Sequence, residues 1–103
     1  MFLATALDWK ELIAEHFSDE RKNAIQAIGV QIYGYSGDQV MDEFADSDLF
    51  NHLAMLSNLK VICLLLRRAI QQDQREEVEN RIRSEWAKVN GRQPVKVELG
   101  LLP

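Results

Sequence analysis

The side chains able to do chemistry in this chain are few and scattered. His16 and His52 lie far apart, and Cys63 is the only cysteine. Five acids, Asp38, Asp42, Glu43, Asp46 and Asp48, crowd residues 36–53, which hold no lysine or arginine. General acid–base catalysis needs paired groups held in a cleft, and nucleophilic catalysis needs Cys63 or a serine beside a base. Neither histidine has a partner close in sequence, and Cys63 stands inside the apolar run Val61–Leu66. A calcium loop needs oxygen ligands at alternate positions, a central glycine and a glutamate at the twelfth. Val40, Met41 and Phe44 interrupt that order here. The segment Tyr33-Gly-Tyr-Ser-Gly-Asp38 has the glycines of a phosphate loop but lacks its lysine and its spacing. The chain is therefore expected to have no catalytic, metal or cofactor site and to be no enzyme. The two tyrosines read as contact residues, since aromatic groups are favoured at interfaces.

Elements that could position these groups follow from periodicity. Thr5, with Asp8 three residues on, predicts the start of a helix over about residues 6–17, buried through Trp9, Leu12, Ile13 and Phe17. Ser18 predicts a second cap, with Asp19 and Glu20 in the first turn. Ala24, Ile25, Ile28 and Ile32 would form that helix's stripe, with Gly29 inside it and a stop near residues 33–37. Ser36 and Gln39 read as a capping box before Val40, Met41 and Phe44. The densest apolar stretch, Leu49–Ile70, predicts a central helix over about residues 48–72. Asp73 opens a last helix with the stripe Val78, Ile82, Trp86 and Val89, and Asn90-Gly91 is a C-cap signal. Val95, Val97 and Leu99 then alternate with Lys96 and Glu98, which is strand patterning.

The fold class these signals predict is all-α, a small bundle of four to five helices around a central hydrophobic helix. Residues 1–91 would be the bundle and residues 92–103 an extended C-terminal arm. A lone strand leaves backbone donors and acceptors without partners, so the arm is expected to pair in trans, lie hydrated or be a disordered tail. Its candidate partner-binding residues are Pro94, Val95, Lys96, Val97, Glu98, Leu99, Leu101 and Leu102.

Composition bounds the partners. The chain has 103 residues, 47% of them hydrophobic and 27% charged, with a net charge of −4. That describes a soluble globular domain without the basic excess of an autonomous nucleic-acid binder. Residues 54–103 carry nine bases against six acids, opposite in sign to the acidic 36–53 segment. Such asymmetry suits head-to-tail contact between copies. The apolar run is too short to span a bilayer, and the N-terminus reads as no signal peptide. A lone cysteine fits a reducing compartment, so a cytoplasmic setting is expected.

In layout the chain resembles the head–tail connector (adaptor) proteins of tailed phages. The likeness is carried by the aromatic–glycine segment IYGYSGD, the acidic break DSDLF and the run LKVICLLLRRAI. The charged helix REEVENRIRSEWAKV and the arm PVKVELGLLP complete it. The resemblance implies a virion protein of the neck region that assembles as a homo-oligomeric ring, commonly twelve-fold, on the portal. It would join head to tail around the DNA channel, bind portal and tail proteins, and touch DNA without specificity. The arm, Pro94–Pro103, would then dock on portal or neighbour. A small helical regulator or inhibitor, binding a host protein through the acidic 36–53 surface, is the alternative.

Overall fold

The computed structural model describes residues 2–89 and 94–102. Four strands form one parallel sheet in the order β1-β2-β3-β4: β1 (Phe2–Thr5), β2 (Ala27–Ile32), β3 (Val61–Leu66) and β4 (Lys96–Leu101). The helices are α1 (Ala6–Glu11), which continues as a π-helical turn Leu12–His16, then α2 (Asp19–Ala24), α3 (Gly37–Asp46), α4 (Leu49–Leu53) and α5 (Gln72–Val89). The architecture is α/β, so the expected all-α bundle is wrong.

Two expected helices are strands. The second helix ends at Ala24, and the stripe from Ile28 to Ile32 belongs to β2. Its pattern Ile28, Val30, Ile32 against Gly29 and Gln31 is period 2, with Gly29 paired between Leu3 and Cys63 in the sheet. The central helix over 48–72 is three things: the five-residue α4, a turn, and β3. Val61-Ile-Cys-Leu-Leu-Leu66 is apolar throughout because an interior strand of a parallel sheet is apolar on both faces. Such a run cannot be told from a buried helix by periodicity.

The arm is a strand, as expected, but its partner is in the same chain. β4 runs along β3 with Lys96 beside Val61 and Leu101 beside Leu66. The Lys96 N–H donates to the Lys60 carbonyl at 2.8 Å and the Leu102 N–H to the Leu66 carbonyl at 2.9 Å. The argument for pairing in trans, that the strand had no partner, therefore falls.

Local signals held where they were chemical. The Thr5 hydroxyl accepts from the Asp8 N–H (3.1 Å), Ser18 from Arg21 (3.2 Å) and Ser36 from Gln39 (3.3 Å). The Gln39 side chain does not close the capping box; it accepts from the Tyr35 N–H instead. Asp48 precedes α4 in a left-handed conformation (φ 52°) and gives no side-chain cap, though its carboxylate takes the Asn51 amide at 2.6 Å. Glu79 and Arg83 pair at 3.9 Å, whereas Arg75 turns away from Glu79 to the Leu99 carbonyl. The Asn90-Gly91 cap lies outside the described residues.

Successive parallel strands laid down in sequence order, with crossovers of one hand, put their helices on one face. The core follows that rule. Ile28, Val30, Ile32, Ile62, Leu64, Leu66 and Val97 pack with Trp9, Ile13, Val40, Phe44, Val78, Ile82 and Trp86. These side chains alternate along the strands, so the residues between them point away from the helices.

Candidate interaction face and carboxyl-end rim

The opposite face of the sheet is set by the same register. Leu3 and Gly29, Cys63 and Glu98 lie in one row across the strands; Thr5, Gln31, Leu65 and Gly100 lie in the next. Ala27, Val61 and Lys96 form the row before them. Leu3 is 48% exposed, Val61 and Leu65 are half-buried, and Lys96 and Glu98 are exposed. No described helix packs its core stripe on this side. Over β1 to β3 the face is apolar except for Thr5 and Gln31 at its carboxyl end, and it is charged along β4, where Lys96 and Glu98 form an ion pair at 3.0 Å.

Cys63 points into this face and stands outside the core cluster, although its neighbours cover it almost completely. Burial pushes its thiol pKa up, and the Glu98 carboxylate on the adjacent strand pushes it further. A raised thiol pKa favours the neutral form in the folded chain. Its stabilising contribution is whole below the unfolded pKa and is lost as pH rises through the folded one. Alkylation by iodoacetamide at neutral pH is accordingly expected to be slow, and Glu98→Gln to speed it in the folded protein. An unchanged rate would show that the carboxylate does not act on the thiol.

The arm residues divide between the two faces. Val95 and Val97 are buried in the core, each 4% exposed, and Leu99 packs against it. Lys96 and Glu98 belong to the open face, Leu101 is exposed, and Pro94 leads in from solvent. Arg75 donates to the Leu99 carbonyl at 3.1 Å, and Leu102 closes the β3 pairing. The eight candidates thus stand in and beside the last strand of the sheet, with only part of their surface free.

At the carboxyl ends of the strands a second feature is assembled from residues distant in sequence. Arg67 follows β3 and lies over the Tyr33 ring at 5.5 Å; Arg68 lies over Tyr35 at 5.1 Å. The tyrosine loop is held by α3: Glu43 accepts the Tyr33 N–H (2.9 Å) and the Gly34 N–H (3.4 Å), and Gln39 accepts the Tyr35 N–H (2.6 Å). Gly34 is required there, because a Cβ would sit 2.6 Å from the Gln39 Cβ and 3.0 Å from its backbone. Beside this loop a cleft of about 460 Å³ opens between β1, β2 and α3, lined by Thr5, Leu7, Gln31, Tyr33, Glu43 and Asp46 among others.

Three of the cleft's polar side chains have structural work. Thr5 caps α1, Glu43 holds the loop, and Ser47 donates to the Glu43 carbonyl at 2.8 Å. His52 Nδ1 lies 2.8 Å from the Asp48 carbonyl, and His16 ends the π-helical turn. Among the described residues, no three His, Cys, Asp or Glu side chains are placed to share a metal ion. No described helix is long and apolar enough to cross a membrane.

Sequence reasoning missed both the open face and the rim pairs. Signals existed for each. Once 27–32 and 61–66 are read as neighbouring parallel strands, Tyr33 falls beside Arg67, and every second residue of VICLLL faces away from the core. No protein-family model matches the chain, and neither a curated protein nor a solved structure matches it.

Proposed function

We propose that this chain is a structural assembly protein, without catalytic activity, that self-associates through the uncovered face of its sheet. One observation carries the reading: an all-parallel sheet has an apolar face with no layer over it. Parallel sheets are found almost only with both faces covered. Leu3, Ala27, Val61 and Leu65 supply the apolar surface, and none is needed there by the chain's own core.

A second copy of the chain is the occupant that the charges favour. A two-fold contact is self-complementary, so a patch that meets itself should carry both signs. Lys96 and Glu98 stand side by side on β4 at the margin of the apolar strip, where a rotated copy can exchange their partners. The margin then forms the polar rim of an apolar contact.

Size sets the strength. Strand spacing of about 4.8 Å and a rise of about 3.3 Å per residue give the face roughly 350 Å². Two such faces bury roughly 700 Å², less than the roughly 1,200 Å² of stable complexes. Association of isolated copies is therefore weak, and a durable assembly needs repeated contacts or a template. A head–tail connector ring is one form such an assembly could take. Its sequence likeness rested partly on reading 27–32 and 61–66 as helical, where β2 and β3 stand, so the open face now supports the assembly reading in their place. The regulator reading has less behind it: Asp38 is paired with Arg81 at 2.9 Å and Glu43 is held by the tyrosine loop.

Sedimentation velocity over a wide concentration range tests the proposal. The expected result is concentration-dependent self-association that Leu65→Lys or Val61→Lys abolishes while the fold persists. A strictly monomeric chain at about 1 mM, or self-association indifferent to both substitutions, would overturn it.

A further inference from the structure

We propose that the rim formed by Tyr33, Tyr35, Arg67 and Arg68 is a binding site for a nucleotide, a phosphate attached to a flat ring. The site is separate from the open face, and the assembly reading neither requires nor excludes it.

The arginines are presented for an anion. Among the described residues neither Arg67 nor Arg68 has a carboxylate within the 4.0 Å of an ion pair, although acids outnumber bases in the chain. Each guanidinium instead lies over a tyrosine ring, at 5.5 Å and 5.1 Å. Stacking engages the face of the guanidinium and leaves its in-plane N–H donors free. Those donors match phosphate oxygens in paired hydrogen bonds, and a stacked side chain loses less freedom on binding.

The tyrosines are presented for a ring. Tyr33 is 47% and Tyr35 53% exposed, so ring surface remains after the arginines are counted. Their backbone is not loose: three N–H groups are held by Glu43 and Gln39, and Gly34 fits against Gln39 without room for a Cβ. Stacking of a base on an aromatic side chain is worth about 1–3 kcal/mol. Two aromatic–arginine pairs, fixed by a helix behind them, thus offer both halves of a nucleotide complementary surface.

The position agrees. These four residues directly follow β2 and β3, so the parallel register brings them together at one edge of the molecule. Electrostatics favours a short ligand. Asp42, Glu43 and Asp46 on the nearby α3 would repel a long polyanion passing over them, whereas a single phosphate reaches only the arginines.

Calorimetric titration with adenosine monophosphate, followed residue by residue by amide chemical shifts, is the test. Saturable binding with shifts centred on residues 33–36 and 67–68 is expected. Arg67→Gln with Arg68→Gln should weaken it by about tenfold or more, and Tyr33→Leu with Tyr35→Leu should reduce it to the level of inorganic phosphate. Lys88→Gln, a basic change away from the rim, should leave it unchanged. A short oligothymidine separates the two sources of the ligand. Binding tighter than that of the mononucleotide assigns a single strand, and weaker binding assigns a free nucleotide. The proposal is overturned by no saturable binding of adenosine monophosphate below about 10 mM. Equal binding by the folded double-arginine variant, or inorganic phosphate binding as tightly as the nucleotide, overturns it as well.

Discussion

Leu64→Ala is expected to cost about 2–5 kcal/mol of stability, and Leu65→Ala, one residue on, about 1 kcal/mol or less. Leu64 is fully buried between the sheet and the helices, so truncation leaves a cavity that the packed layer fills poorly. Leu65 is half-buried on the other face, where its Cδ2 rests against Gly100 and solvent takes the space of the lost atoms. Urea unfolding at low protein concentration, with the slope unchanged between variants, measures both. A helix would have produced a different result, because Leu64 and Leu65 both fall on the broad apolar side of a helix through this run. Equal large losses at the two positions would mean that the open face is covered even in the isolated chain. If association buries Leu65, the cost of Leu65→Ala should grow with protein concentration while that of Leu64→Ala does not.

The same pair shows how far the sequence could be read. Chemical signals confined to a few residues were legible: the caps at Thr5, Ser18 and Ser36, the α5 stripe Val78, Ile82 and Trp86, and the period-2 strand around Val97. These depend on local hydrogen bonds or on one clear face. Strand β3 was not legible in that way, because both its faces carry apolar residues and periodicity is lost, and β2 was masked because Ile25, Ile28 and Ile32 also fit helical spacing. The arm's role failed for a related reason. A strand recognised alone has only a foreign partner to pair with, yet β3 was waiting inside the chain, read as a helix. The rim was hidden in turn, since Tyr33 and Arg67 meet only through the parallel register of the two misread strands. Two wrong periods, at Ala24–Ile32 and at Leu49–Ile70, thus account for the fold and the rim, and the second of them for the arm.

Trp9→Ala is expected to be at least as damaging, at about 3–5 kcal/mol. The ring is fully buried, meets Phe17 edge-on at 6.2 Å, and its Nε1–H donates to the Gly29 carbonyl at 2.7 Å. That bond ties the helix after β1 to the middle of β2. Trp9→Phe separates the contributions: it keeps most of the apolar contact but removes this donor from a buried carbonyl, for about 1–3 kcal/mol. A Phe variant as stable as the parent would show that the bond adds nothing beyond packing. Loss should be local before it is global. β1 has only four residues and one neighbouring strand, so its amides should exchange first when Trp9 is cut back, ahead of those of β2 and β3. This bears on function, since β1 presents Leu3 at the margin of the open face. Frayed β1 would remove part of the apolar strip, and self-association should weaken in Trp9→Phe at concentrations where the chain remains folded. Fraying without any change in association would confine the contact to Val61 and Leu65 on β3.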